Sequence, residues 1–184
     1  ISRSNEARAL GIKMGEPAFK SGDIFERYDV QVYSTNFALY GDLSERIMSI
    51  LTKCVSRIEV YSIDEAFMDF RKIAKKEDAA VELREKILKW VGIPVSIGVA
   101  ITKTLSKVAN SIAKKQSNNG VCVFTDRYEI DSYLKEFPVS KLWGVGRRYG
   151  QMLDLYGVSS AYELTQRPDQ WIQKHMSIVG LKMV

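Results

Sequence analysis

The sequence predicts an α+β fold in which helices pack on one mixed sheet. Stretches with apolar residues at helical spacing alternate with short β-prone stretches as far as residue 125. After Pro138 the strand pattern stops, and short helical pieces follow that are broken by glycines and by Pro168. The 184 residues are 46% hydrophobic with a net charge of +5, which is typical of a soluble globular protein. No apolar run approaches the ~20 residues that cross a bilayer, so we expect no membrane association.

The N-terminal region predicts a short helix, a strand and a longer helix. Residues 4–10 form the first helix, with Ser4 as a candidate N-cap. Alternating residues over 30–34 predict the strand. Apolar side chains at helical spacing over 37–55 predict the longer helix, one face of which should lie in the core.

A hairpin is the next predicted element, and it carries two adjacent carboxylates. Residues 58–62 and 66–70 are β-prone, and Asp64 and Glu65 lie in the three residues between them. Neighbours in a regular strand point to opposite faces, so the two carboxylates can share an ion only if the chain bends there. Adjacent oxygen ligands suit Mg²⁺. The alternative is that Asp and Glu simply favour turns, and the dipeptide by itself favours that alternative.

Further helices and strands complete the α+β pattern. They are a helix over 78–91 capped by Asp78, a strand over 95–100, a helix capped by Thr102 and a strand over 121–124. The change of pattern after this last strand places a domain boundary between Asp126 and Pro138.

One basic surface is predicted on the helix that follows Thr102. Spacings of four and eleven residues put Lys103, Lys107 and Lys114 on one face of that helix. No acidic residue occurs over 93–125, whereas a merely solvated helix usually mixes its charges. The pattern therefore favours a face that runs along phosphates, over the alternative of a solvated face.

A second basic cluster follows a glycine-rich turn. Gly144 and Gly146 precede Arg147 and Arg148, which begin a helix. Glycines at a helix start leave backbone N–H groups open to an anion. This pattern predicts a helix-hairpin-helix that grips a DNA backbone without reading bases, and a plain connection between two helices is the alternative.

The few cysteines and histidines exclude several classes of site. Cys54 and Cys122 lie far apart, and His175 is the only histidine. These counts argue against a disulfide framework, a structural zinc site and a histidine-based triad. We expect both thiols to be core-like, in a reducing cytosol.

Several motifs together resemble the palm of Y-family, translesion DNA polymerases. They are YSIDEAF at 61–67, SIGVA at 96–100 and TKTLSKVAN at 102–110. Two further segments, NEARALGIKMG at 5–15 and YSTNFALY at 33–40, resemble most closely the UmuC-type catalytic subunit of bacterial DNA polymerase V. The order and spacing of the motifs agree with that family over essentially the whole chain.

The resemblance implies roles for particular residues. Asp64 and Glu65 match two of the three catalytic carboxylates that hold two Mg²⁺ ions. Arg8 matches the residue that grasps the β and γ phosphates of the nucleotide, Lys114 a lysine that approaches the triphosphate, and Ser2 a small hydroxyl neighbour of the nucleotide. The remaining predicted DNA contacts are Lys103, Lys107, Gly144, Gly146, Arg147 and Arg148.

The resemblance also implies a division into domains. Residues 1–35 match part of the fingers, 36–125 the palm without its first strand, and 126–184 an incomplete all-α thumb. The first palm strand carries the third carboxylate in the family, and the little-finger domain follows the thumb. We therefore expect this chain alone to be nearly inactive, with unpaired sheet edges that lower its stability.

The function that follows from the resemblance is error-prone DNA synthesis across damaged template, during DNA repair and the SOS response. The implied partners are primer-template DNA, dNTP, a UmuD′ dimer, RecA and the sliding clamp, in the cytoplasm at the nucleoid. One alternative is a non-catalytic module that binds the DNA backbone. Another is a nucleotide cyclase built on a similar palm, which the helix-hairpin-helix disfavours because a cyclase has no use for a duplex grip.

Overall fold

The structure is a computed structural model that describes residues 1–184, apart from the side chain of Gln116. The chain divides into two compact units, residues 1–39 and residues 40–184. The longest of the early helices, α3 (Phe37–Cys54), begins at the end of the first unit and belongs mostly to the second.

The first unit contains short helices. They are α1 (Asn5–Ala9), a 3₁₀ turn (Ala18–Ser21) and α2 (Gly22–Arg27). Ser4 caps α1 as predicted, because its Oγ accepts a hydrogen bond of 3.2 Å from the N–H of Ala7. The predicted strand over 30–34 is wrong: these residues form no ladder with any described residue, and Val32 and Tyr33 are exposed. Alternation alone does not make a strand, because a strand is stable only when it is paired in a sheet.

The second unit begins with alternating helices and strands. After α3 come β1 (Ile58–Val60), β2 (Ala66–Met68), α4 (Lys76–Val91), β3 (Ile97–Val99), α5 (Lys103–Gln116) and β4 (Val121–Val123). Each predicted strand is present between residues 58 and 124, and each is shorter than its β-prone stretch. The α+β class is confirmed.

The strands form two separate ladders rather than one sheet. β1 and β2 pair antiparallel, with Ile58 opposite Met68. β3 and β4 pair in parallel, with Ile97 opposite Val121, and α5 is the crossover that a parallel connection needs. The expectation of one mixed sheet is wrong in this respect, because among the described residues no ladder joins the hairpin to β3.

Two helix starts differ in how well the sequence predicts them. Thr102 caps α5 as predicted, with its Oγ1 accepting from the N–H of Leu105 at 3.1 Å. Helix α4 begins at Lys76 rather than after Asp78. Asp78 lies instead in the first turn, where its negative charge is favoured by the helix dipole.

Gly98 in β3 allows α5 to pack unusually close to the strand. A Cβ at this position would lie 2.1 Å from the backbone nitrogen of Asn110 and 2.4 Å from the carbonyl oxygen of Ser106. Only glycine permits this approach. The contact fixes the lysine-bearing helix relative to the parallel ladder.

The rest of the second unit is helical, as predicted. It contains α6 (Arg127–Glu136), a 3₁₀ turn (Val139–Lys141), α7 (Arg147–Leu155), α8 (Ala161–Thr165) and α9 (Asp169–Met183). Helix α6 lies inside the segment expected to be a domain boundary. Its signal is Asp126, whose carboxylate caps the helix by accepting from the N–H groups of Tyr128 and Glu129.

One apolar cluster joins α5 to the C-terminal helices. Val108 and Ala109 of α5 are fully buried in the same cluster as Leu153 of α7. A second cluster packs α3 and α4 on the strands. The parallel ladder lies between the two, because Val121 of β4 belongs to the second cluster and Cys122 packs against the first.

No helix in the part of the chain that the structure describes is long and apolar enough to span a membrane. Cys54 is exposed and Cys122 is half-buried, and both thiols are free. The expectation of a core position is therefore wrong for Cys54, which lies in the last turn of α3.

Candidate active site

The bend of the β1–β2 hairpin brings its two carboxylates to one side. The N–H groups of Tyr61 and Ser62 both donate to the carbonyl oxygen of Glu65, at 3.0 and 3.1 Å. The hydroxyl of Ser62 donates to the Asp64 carboxylate at 2.6 Å. This bend is the departure from regular strand geometry that a shared site requires.

An open cleft of about 1040 Å³ lies between the hairpin and β3. Asp64 and Glu65 both line it. The opposite wall includes β3 and the first turns of α5, with Lys103 and Lys107. The structure therefore brings together four of the residues that the sequence predicts for the site.

The two lysines of the cleft are paired with acidic residues of the hairpin. Lys103 forms an ion pair with Glu59, and Lys107 forms one with Glu65. The helix itself contains no acidic partner for these lysines. The expectation that they lack a partner is nevertheless wrong, because folding brings Glu59 and Glu65 of the hairpin next to them. Pairs this accessible are weak, about 0 to 1 kcal/mol, so an incoming phosphate can compete for the lysines.

Lys114 differs from Lys103 and Lys107, the other two lysines predicted on this face of α5. Its side chain is exposed, and it makes no ion pair with any side chain that the structure describes. It is not among the residues that line the cleft.

Contacts from other elements support the bend. Ser44 of α3 donates to the carbonyl oxygen of Ile63 at 2.5 Å. The indole N–H of Trp143 donates to the hydroxyl of Tyr61 at 3.1 Å, and its ring lies 5.5 Å from the ring of Phe67. The bend is therefore held by α3, by α5 and by the segment before α7.

Another carboxylate in the cleft, that of Asp69, is bound by an arginine. Asp69 lines the cleft, and the guanidinium of Arg71 binds it at 2.6 Å. The Arg71 side chain, followed by its backbone N–H, holds the pKa of Asp69 well below its usual range. Asp69 is therefore ionised at neutral pH, but its carboxylate is already bound by the side chain of Arg71.

The carboxylate oxygens of the bend supply some of the ligands that a hard cation such as Mg²⁺ needs. Asp64 and Glu65 offer the carboxylate oxygens that Mg²⁺ prefers, with phosphate and water expected to fill its remaining positions. Among the described side chains, no group of three His, Cys, Asp or Glu residues is placed to hold a metal ion. The residues present therefore fit part of the coordination of one ion, and they do not make a complete two-metal site.

The glycine turn before α7 is buried on its inner side and open on its outer side. Leu142 and Val145 are buried in the core of the C-terminal helices. Gly144 has φ +95°, a conformation that side-chain-bearing residues rarely adopt, and a Cβ on Gly146 would meet nothing within 4 Å. The open backbone at Gly146 leaves room for an anion at the start of α7.

Four of the predicted contacts with phosphates are exposed. Arg147 and Arg148 begin α7, and both side chains are accessible. Arg8 on α1 and Ser2 before it are exposed in the first unit.

Two features of the site are not predicted by the sequence. The ion pair between Glu59 and Lys103 was not expected, although Glu59 lies in the acidic segment of a basic chain. The contact of Trp143 with the hairpin joins residues 82 positions apart. No local pattern in the sequence reports a contact over that distance.

Known proteins resemble this chain over most of its length. The model of the impB/mucB/samB family matches residues 1–111. The protein UmuC of Salmonella typhimurium is 40% identical over 97% of this chain, and DNA polymerase IV 2 of Mesorhizobium japonicum is 32% identical over 90% of it. The chain covers 44% of the first relative and 40% of the second.

A solved structure shows the same fold. The DinB family error-prone DNA polymerase from Sulfolobus solfataricus superposes with a TM-score of 0.77 over 100% of this chain and 56% of that protein, at 29% identity. The matched family model spans the hairpin, both carboxylates and the lysine face of α5 as far as residue 111. This match agrees with the resemblance of the motifs to Y-family polymerases. The chain belongs to the impB/mucB/samB family.

Proposed function

We propose that this chain supplies the central part of an error-prone, translesion DNA polymerase. The observation that carries the proposal is the bend that puts Asp64 and Glu65 in one cleft. The support from relatives is that several are named DNA polymerase IV and that the matched Sulfolobus structure is a DNA polymerase. The reaction is nucleotidyl transfer to the 3′ end of a primer.

Asp64 and Glu65 are the residues that would hold Mg²⁺. When bound, Mg²⁺ ions stabilise charge on the attacking and leaving oxygens of an in-line displacement. The chain's own part is to hold the carboxylates in place, through the Ser62 hydroxyl on Asp64 and the Lys107 ammonium on Glu65. Lys107 also offsets the negative charge of Glu65 before a cation enters.

Arginines and lysines would bind the phosphates of the substrates. The guanidinium fork of Arg8 suits two phosphate oxygens of a dNTP, and Ser2 and Lys114 are the further nucleotide contacts. Arg147 and Arg148, with the open turn at Gly146, would bind the backbone of primer-template DNA. Lys103 and Lys107 can join them once phosphate competes with Glu59 and Glu65.

The proposal extends to organisation and partners. Residues 1–35 act as part of the fingers, 36–125 as palm and 126–184 as thumb. The function belongs to DNA repair and the SOS response, in the cytoplasm at the nucleoid. Its partners are a UmuD′ dimer, RecA and the sliding clamp. These assignments rest on the family resemblance of the motifs.

We expect the chain by itself to extend primers very slowly. Two carboxylates position the metal ions less firmly than three, and misplacement of about 1 Å costs a reaction roughly 100-fold.

Primer extension with Mg²⁺ tests the proposal. Three proteins are compared: this chain, a version joined to the first palm strand of a relative, and that version with Asp64→Ala. The expected result is extension by the joined version and its loss on Asp64→Ala, while Asp154→Ala, a change on α7 outside the cleft, keeps the activity. Equal extension with and without Asp64 would contradict the proposal.

A non-catalytic module that binds the DNA backbone is the second candidate. The observation that favours it is the exposed pair Arg147 and Arg148 beside an open turn. This candidate predicts binding to duplex DNA without extension in any version. Primer extension, with duplex binding of the same proteins measured beside it, therefore separates the two functions.

A further inference from the structure

The aromatic cluster between the hairpin and the segment before α7 is the least expected contact in the molecule. Trp143 packs edge-on against Tyr61, with ring centroids 5.4 Å apart and an interplanar angle of 82°. Its ring also lies 5.5 Å from that of Phe67, and its indole N–H donates to the Tyr61 hydroxyl at 3.1 Å. Three aromatic rings and one hydrogen bond thus join two distant parts of the chain.

The cluster reaches the carboxylates through the hairpin backbone. Tyr61 precedes the bend, and its N–H donates to the carbonyl oxygen of Glu65 at 3.0 Å. On the α5 side, Lys103 lies 5.1 Å from the ring centroid of Phe67 and Lys107 lies 5.8 Å from that of Tyr61. The rings that Trp143 contacts are therefore the same rings that the two lysines cover.

On its own side, Trp143 is attached to the glycine turn. Its neighbours in the chain are Leu142, which is buried, and Gly144, whose left-handed backbone turns the chain towards α7. The backbone of Trp143 is thus fixed by the core while its side chain extends to the hairpin. The side chain of Trp143 therefore connects the turn to the hairpin.

We propose that Trp143 is a positioning residue that fixes the bend carrying Asp64 and Glu65 to the turn that receives the DNA backbone. The inference rests on the proposed function and adds to it a mechanical link between duplex binding and the carboxylates. A duplex backbone bound at Gly146 and Arg147 reduces the motion of the turn. Through the contacts of Trp143 it also reduces the motion of the bend.

Hydrogen exchange of the bend amides is the experiment. The amides of Tyr61 and Ser62 report opening of the bend, because both donate to Glu65. We compare the whole chain with Trp143→Ala, with Trp143→Phe and with the control Trp90→Ala. Trp90 is 60% exposed on α4 and contacts no ring of the cluster. Each protein is measured alone and with a primer-template duplex.

The expected result has two parts. Without DNA, Trp143→Ala speeds exchange at the two amides about tenfold, since it removes two aromatic pairs and a hydrogen bond, whereas Trp90→Ala does not. With DNA, the amides of the unmodified chain exchange more slowly, and those of Trp143→Ala do not although the variant still binds the duplex. Trp143→Phe keeps a ring without the N–H and gives an intermediate value.

Several outcomes would overturn the inference. Equal exchange in Trp143→Ala and Trp90→Ala would show that Trp143 does not hold the bend. Duplex-induced protection that persists in Trp143→Ala would show that the link runs elsewhere. A duplex that binds the unmodified chain without slowing the amides overturns the link and leaves the proposed function intact, whereas no binding at all contradicts both.

If Trp143→Ala fails to fold, a double-mutant cycle decides. Trp143→Phe removes the donor and Tyr61→Phe removes the acceptor of the same hydrogen bond. Effects on bend exchange that are less than additive support the contact. Fully additive effects oppose it.

Discussion

Lys107 on α5 forms an ion pair with Glu65 at the bend of the hairpin, 42 residues away in the sequence. The pair is partly shielded, with 22% of the lysine side chain and 35% of the glutamate side chain exposed. It joins the helix that lines the cleft to one of the two carboxylates expected to bind Mg²⁺. The cleft is therefore organised before any substrate enters.

Breaking this pair should weaken the chain modestly. We expect Lys107→Gln and Glu65→Gln each to lower the free energy of unfolding, with a coupling energy of up to about 1 kcal/mol in a double-mutant cycle. The coupling should shrink as salt is added, because the pair is partly exposed. Urea unfolding measures it, and Lys115→Gln, an exposed change on the same helix, is the control. A coupling energy of zero at low salt would contradict the contact.

Replacing Gly98 should be far more damaging than its size suggests. A Cβ would lie 2.1 Å from the backbone of Asn110, and backbone cannot move aside as a side chain can. We expect Gly98→Ala to lower the free energy of unfolding by more than about 2 kcal/mol. Thermal unfolding measures the effect.

Gly41 provides the matched control for Gly98. It lies in α3, where an added Cβ would meet nothing within 4 Å, so Gly41→Ala should stabilise the chain by up to about 1 kcal/mol. The two substitutions are chemically identical and should act in opposite directions. Equal effects would show that the close approach of α5 to β3 is not needed.

Acid should weaken the start of α8. Glu163 and Ser160 form a capping box, and the N–H groups of Ser159 and Ser160 hold the pKa of Glu163 below its usual range. A lowered folded-state pKa means that this stabilisation is complete above the unfolded pKa, about 4.3, and is lost as the pH falls through the folded value.

The variant Glu163→Gln isolates this contribution. We expect it to be less stable than the unmodified chain near neutral pH, with the difference shrinking below about pH 4. Urea unfolding across this range measures the difference, and Glu85→Gln on the exposed face of α4 is the control. A difference that grows as the pH falls would have the wrong sign and would reject the assignment.

The arginines at the start of α7 should set the salt dependence of DNA binding. Each phosphate contact adds about 1 to the slope of log affinity against log salt. We expect Arg147→Gln and Arg148→Gln each to reduce that slope by about 1, measured by fluorescence anisotropy with a labelled duplex. Lys174→Gln, an exposed lysine on α9, should leave it unchanged. Equal slopes in all variants would place the DNA elsewhere.

The sequence predicts the parts of this molecule that depend on local chemistry. Ser4 and Thr102 act as helix caps where their hydroxyls precede a helix. The hairpin is where β-prone residues flank Asp64 and Glu65. These features depend only on residues that are close in the sequence, so the sequence alone predicts them.

Features that depend on distant residues escape that reasoning. The stretch at residues 30–34 forms no ladder with any described residue, and the two ladders do not merge into one sheet. Lys103 and Lys107 look unpaired along α5 because their partners come from the hairpin. Trp143 has no signal of its own in the sequence, because the aromatic side chains of the hairpin become its neighbours only on folding.

Paramagnetic Mn²⁺ in place of Mg²⁺ reports whether Asp64 and Glu65 bind the catalytic metal. With a primer-template duplex and a dNTP present, Mn²⁺ should broaden the amide signals of Asp64 and Glu65 first, and Asp64→Asn should abolish this. Asp154→Asn, outside the cleft, should change nothing. Broadening that survives Asp64→Asn, or that centres on Asp69, would show that Asp64 and Glu65 do not hold the metal.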